Sequence, residues 1–127
     1  MKCLSLLAVA LLSLTVSSEE HHWEELALEP PLNWIPSSEL RAYALEEISM
    51  ADIVTDKDTF WSSLTTQCEE FKEGLCQSVM IYHMAFDEGN SFWQGFLFKN
   101  TIRPSDLMRG TPDITNSTAA NWMVWDN

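Results

Sequence analysis

Positive charge is scarce in this chain. Seven Lys and Arg stand against nineteen Asp and Glu among 127 residues, a formal net charge of −12 with neutral histidines. Nucleic acids and anionic membranes are held through Lys and Arg that displace counterions, so such a surface repels both. Cysteine is fewer still: there are three, and Cys3 lies in an apolar amino-terminal run. No apolar run of membrane length follows that segment, so the mature chain is expected to have no membrane span. Internal repeats and low-complexity tracts are absent too. No Ser or Cys is patterned with a histidine as a nucleophile–base pair. The seven residues between Cys68 and Cys76 suit no common zinc spacing, and no second Cys/His pair is near them.

What the chain does have begins at its amino terminus. Lys2 gives a short positive start, and an apolar run from Leu4 to Val16 follows, broken only by Ser5, Ser13 and Thr15. Val16 and Ser18 place small residues at positions −3 and −1 of a cleavage after Ser18. This is the pattern of a secretory signal peptide, too short for a comfortable membrane span. The expectation is a secreted, extracellular protein in an oxidising compartment. Cleavage after Ser18 removes Lys2 and leaves 109 of the 127 residues, with six basic against nineteen acidic, a balance of −13. That length is one domain's worth. In that compartment Cys68 and Cys76 are expected to form a disulfide, whose short loop contributes about 2–3 kcal/mol. Six Trp and six Phe supply core bulk that a disordered chain lacks.

The pattern divides the chain into a signal peptide (1–18), an acidic, proline-containing leader or linker (19–38) and one small globular domain (39–127). Glu19, Glu20, Glu24 and Glu25 make the leader acidic, and Pro30, Pro31 and Pro36 prevent a continuous helix in it. Leu40, Tyr43, Ala44 and Ile48 suit a short helix behind Ser37 and Ser38, with a strand over 41–45 as the alternative. Thr55 and Asp58 read as a capping box. They open a helix that carries Phe60, Leu64, Cys68 and Phe71 on one face, and Gly74 is its expected stop. Residues 76–84 alternate as a strand, 87–90 form a turn, and Phe92 to Phe98 form an aromatic-rich strand, together a hairpin. Residues 99–115 read as loop, and 121–125 as a last strand. The expected fold is α+β, a small antiparallel sheet packed on one main helix.

The order of helix, cysteine, strand, turn and aromatic strand resembles PAN/apple-type modules, particularly their small secreted fungal versions. It is carried by Cys68, by Cys76-Gln-Ser-Val-Met-Ile-Tyr82, by Asp87-Glu-Gly-Asn90 and by Phe92-Trp-Gln-Gly-Phe-Leu-Phe98. The resemblance spans roughly residues 52–100. In that family the second hairpin strand carries another Cys, where this chain has Gly95 or a neighbour. The resemblance implies a small antiparallel sheet cradling one helix, with protein or carbohydrate binding and no catalytic residue.

The candidate ligand-binding residues are Trp93, Phe96, Trp122 and Trp125, an aromatic platform for sugar rings or an apolar small molecule. The competing reading makes the 92–98 strand a central one buried on both faces. His83, with Asp87 or Asp106, is the alternative acid–base set, set against an ordinary hydrogen-bonded strand histidine. After cleavage, Glu19-Glu20-His21 would offer a square-planar nitrogen set to Cu(II) or Ni(II); otherwise neither a metal nor a cofactor is expected. Asn116-Ser117-Thr118 is an N-glycosylation acceptor. The sequence thus points to a secreted, acidic, non-catalytic module binding an extracellular protein, glycan or apolar small molecule. The alternative is a small secreted enzyme or biosynthetic helper with an apolar pocket around His83.

Overall fold

The computed structural model describes residues 20–86 and 89–124; the expected signal peptide, Glu19, Asp87, Glu88 and Trp125 lie outside them. In chain order the elements are β1 (His21–Glu25), β2 (Trp34–Pro36), α1 (Ser38–Arg41), β3 (Ala44–Ala51), α2 (Lys57–Glu69), β4 (Ser78–Ala85), β5 (Ser91–Phe98), β6 (Leu107–Arg109) and β7 (Ile114–Val124). Five strands form one antiparallel sheet in the order β1-β7-β4-β5-β3, and β2 pairs with β6 in a small second sheet.

The fold is α+β and dominated by its sheet. The expected helix-on-sheet packing accounts for only one face. Along β4 and β5, alternate residues go to opposite sides. Val79, Ile81, Trp93 and Leu97 meet Phe60, Leu64 and Cys68 of α2. Met80, Tyr82, Phe96 and Phe98 meet Leu40, Ile102, Leu107 and Ile114 on the other side. Both faces of β5 are therefore covered, which is why its sequence is a nearly unbroken apolar run rather than an alternation.

Gly95 makes the close approach of α2 to the sheet feasible. A Cβ there would lie 2.2 Å from Leu64 Cδ2 and 3.0 Å from Phe60 Cε2. Position 95 thus has no room for a side chain in this packing. The helix itself starts one residue later than its predicted cap: Asp56, not Thr55, is the N-cap, and its carboxylate accepts from the Thr59 amide at 2.8 Å. It ends at Glu69, five residues before Gly74, which sits instead in a single 3₁₀ turn over Lys72–Gly74. Cys68 on the last helical turn is bridged to Cys76, with Cα atoms 5.1 Å apart.

The remaining corrections concern segments whose pairing partners are distant in sequence. The short helix expected to carry Leu40, Tyr43, Ala44 and Ile48 is a single turn at Ser38–Arg41, and Ala44–Ala51 form β3, paired with β5; the strand alternative over 41–45 overlaps only its start. The expected leader joins the main sheet, because His21–Glu25 pair with Val124–Ala120. Farther on, β2 pairs with β6 inside the segment expected to be loop. This strap is fastened by polar contacts: Ser117 Oγ donates to the Leu32 and Trp34 carbonyls at 3.1 and 2.7 Å. The Arg109 guanidinium donates to the Pro31 carbonyl and lies 3.8 Å from the centre of the Trp34 ring.

Candidate functional site

The two ends of the main sheet present different chemistry, and α2 runs from one to the other. At the first end β3 runs out, β4 passes into the turn, and β5 begins. Here His83, near the end of β4, meets Asp52 in the turn after β3, with Nε2 2.9 Å from Oδ2. Ser91, the first residue of β5, donates its hydroxyl to the same carboxylate oxygen at 2.5 Å. The Ser91 and His83 hydrogen bonds hold the Asp52 carboxyl below the usual aspartate range. The His83 ring also packs edge-on against its cross-strand partner Trp93, centroids 4.9 Å apart. A hydrolytic Ser-His-Asp set needs the histidine between the other two, one nitrogen on each. Here the aspartate is in the middle, and Ser91 bonds to its carboxylate rather than to the His83 imidazole.

Asp106 is the other candidate carboxylate for His83. It lies at the opposite end of the sheet, where its side chain accepts from the Arg103 amide at 2.9 Å and contacts the Arg103 guanidinium at 3.5 Å. Asp87 lies outside the described residues. The partner that His83 actually has, Asp52, is 31 residues away in sequence. Asp52 and Ser91 carry no local pattern that would have marked them; only the register of β3, β4 and β5 brings them together.

The opposite end opens as a cleft of about 680 Å³. Tyr43 and Glu39 line it from the α1 side, Gln77 from the approach to β4, and Lys99, Asn100 and Arg103 from the chain that leaves β5. Tyr43 is 44 % exposed, and the Lys99 ammonium sits 5.8 Å from the centre of its ring. Two cations, Lys99 and Arg103, face two carboxylates, Glu39 and Asp106. The cleft is therefore near neutrality in a chain of net charge −12. Backbone pairing fixes its walls: the Lys99 amide donates to the Tyr43 carbonyl at 3.1 Å and the Gln77 amide to the Phe98 carbonyl at 2.8 Å. The Cys68–Cys76 bridge stands immediately beside Gln77. Sequence reasoning missed this cleft because its residues are polar, scattered over some seventy positions and individually unremarkable.

Of the four aromatic-platform residues, two lie inside the sheet's cores. Phe96 is 0 % exposed and Trp93 7 %. They point to opposite faces of the sheet and belong to its two cores, so neither offers a free ring. Trp122 is half-buried, stacked on His21 with centroids 4.9 Å apart and tilted against Trp23 at the same distance. Trp23 in turn donates its indole N–H to Glu69 of α2 at 2.7 Å. Trp125 lies outside the described residues.

His21 is thus a sheet residue in register with Val124, its ring against Trp122. An amino-terminal copper or nickel chelate needs its backbone amide and ring together on the ion and would have to undo that packing. Among the described residues, no three His, Cys, Asp or Glu side chains gather into a metal-binding group. No helix among them is long and apolar enough to cross a membrane. Asn116 is exposed at a positive φ of 58°, beside the irregular pairing of β4 with β7. Compared with protein-family models, with curated proteins and with solved structures, the chain matches none of them.

Proposed function

We propose that this is a secreted, acidic, non-catalytic binding module, and that its ligand is a glycan held in the Tyr43–Lys99–Arg103 cleft. One observation carries the reading: a cleft of about 680 Å³ combines an exposed tyrosine ring with balanced charged and amide groups. Sugar hydroxyls both donate and accept, so they suit Lys and Arg donors beside Glu and Asp acceptors, while their C–H faces suit an aromatic ring. The PAN/apple resemblance of residues 52–100 points to the same class of function. Secretion fits the bridged cysteines and the amino-terminal pattern, and Asn116 is proposed to carry an N-linked glycan of its own.

The test is a screen of the secreted, full-length product against an array of immobilised oligosaccharides. Tyr43→Ala and Lys99→Ala are expected to weaken capture of any hit by tenfold or more with the circular-dichroism spectrum unchanged, and His83→Ala is expected to have little effect. Retained binding in the Tyr43 variant, with loss in Trp122→Ala, would move the ligand to the β1–β7 edge. On the same material, sequencing should begin at or near Glu19, and Asn116→Gln should remove the mass released by an N-glycosidase.

The acid–base reading at His83 draws on its 2.9 Å contact with Asp52. It requires a substrate whose turnover is abolished by His83→Ala in a folded protein, with Asp52→Asn impairing it as well.

A further inference from the structure

The end of the sheet that carries His83 also exposes an apolar surface that neither core covers. Ile53 is 89 % exposed, Val54 66 %, Phe86 48 % and Met50 41 %. Met50, Ile53 and Phe92 line one depression of about 310 Å³, and Phe86 extends it through its contact with the Phe92 ring at 5.8 Å. Ile53 and Val54 stand in the turn after β3, Met50 and Phe92 at the facing ends of β3 and β5, and Phe86 just after β4; hydrogen bonds tie this region together. The Asp52 carboxylate takes the His83 and Ser91 hydrogen bonds, the Asp52 amide donates to the Ser91 carbonyl at 3.2 Å, and the Phe86 amide donates to the Asn90 carbonyl at 3.0 Å. Holding large apolar side chains in water without a partner is costly.

The rim of this tip is acidic. Asp52, Asp56 and Asp58 follow within seven residues along the turn into α2, with Lys57 as the one cation between positions 52 and 58. Asp113 is exposed on the far side, where its carbonyl accepts from the Ala85 amide next to Phe86. We propose that the tip is a docking surface for a basic, amphipathic segment of a partner protein. Its apolar side would cover Ile53, Val54 and Phe86, and its Lys or Arg would meet Asp52, Asp58 and Asp113. The same charges argue against two other occupants: a second copy would bring like charges together, and an anionic membrane would be repelled. The proposal does not depend on the cleft at the other end.

The probe is a short synthetic peptide of Leu and Lys patterned as an amphipathic helix. Its control has the same composition scrambled so that it has no apolar face. Binding to the secreted full-length protein is read by fluorescence anisotropy. The patterned peptide is expected to bind at least about tenfold more tightly than the scrambled one, and to weaken steeply with added salt. Ile53→Ser with Val54→Ser is expected to remove most of that preference, and Asp58→Asn with Asp113→Asn to flatten the salt dependence. If the double serine variant loses its circular-dichroism spectrum, Phe86→Ser in the hairpin turn replaces it. Equal binding of the two peptides overturns the proposal, as does a folded serine variant that binds like the unaltered protein. Dimer formation through the tip in sedimentation, or partition onto uncharged lipid vesicles, assigns the surface to another occupant and overturns it too.

Discussion

The two ends of the sheet are fastened in different ways. At the cleft, the last turn of α2 is joined covalently to the approach of β4 through Cys68 and Cys76. At the tip, the first turn of α2 and the turn before it are held by two carboxylates, Asp56 on the Thr59 amide and Asp52 on His83 and Ser91. A disulfide keeps its strength across pH; a carboxylate that accepts hydrogen bonds holds them more weakly once it is protonated. One end is therefore sensitive to reductant and the other to acid. The two halves of one helix should respond to different solution conditions.

The largest expected effect breaks both ends together. Leu64 is 1 % exposed and sits over Gly95 in the middle of α2, so Leu64→Ala should cost about 2–5 kcal/mol in denaturant unfolding. Gly95→Ala should also destabilise, because its new methyl would overlap Leu64, at about 1–3 kcal/mol. The two changes should be non-additive: in the Leu64→Ala background the added methyl at 95 fills space, and its penalty should shrink. Additive losses would mean that the helix does not pack on Gly95.

Next in size is the cleft end alone. Cys68→Ala with Cys76→Ala should lower stability by about 2–3 kcal/mol through the freedom restored to the unfolded chain. In the unaltered protein, alkylation should add two groups only after reduction. If the cleft is the ligand site, the cysteine-free variant should also bind less well at temperatures where the protein remains folded, while the tip keeps its affinity for the basic peptide.

The smallest effect is the acid response of the tip. Both Asp52 and Asp56 have carboxyls held below the ordinary aspartate value, Asp52 by Ser91 and then His83, Asp56 by the Thr59 amide. A depressed folded value means stability that is present above the unfolded value near pH 4 and is lost as pH falls through the folded one. Thermal melts from pH 7 down to pH 3 should therefore show a falling midpoint. Asp52→Asn with Asp56→Asn should start lower and fall less over that range. An unchanged slope in the variant would assign the acid response to other carboxylates.

These two fastenings differ in how far the sequence revealed them. The bridge was legible because Cys68 and Cys76 are the pair that remains after the apolar amino-terminal run, and helical spacing placed Cys68 on the buried side. The helix start was legible to within one residue, because a cap acts on amides three positions away. Asp52 was not legible as the partner of His83, since a carboxylate in a turn looks the same whatever strand lies beside it. The aromatic run 92–98 announced burial, yet its rings could be read as surface or core until both covering layers were in place.

Local sequence determined the elements whose causes are local: α2 with its periodic apolar face, the β4–β5 hairpin around its turn residues, the disulfide, and the acidic, cation-poor surface. Tertiary structure alone decided the rest. It made a strand of 44–51 by pairing it with β5, drew residues 21–25 into the sheet edge against β7, and sent Trp93 and Phe96 into two separate cores. It also gathered Tyr43, Lys99 and Arg103 around one cleft and left Ile53, Val54 and Phe86 in water at the other end. The physical reason is the same in each case. Strand pairing and side-chain burial are set by contacts between segments far apart in the chain, and neither the spacing nor the composition of one segment records what the other will be.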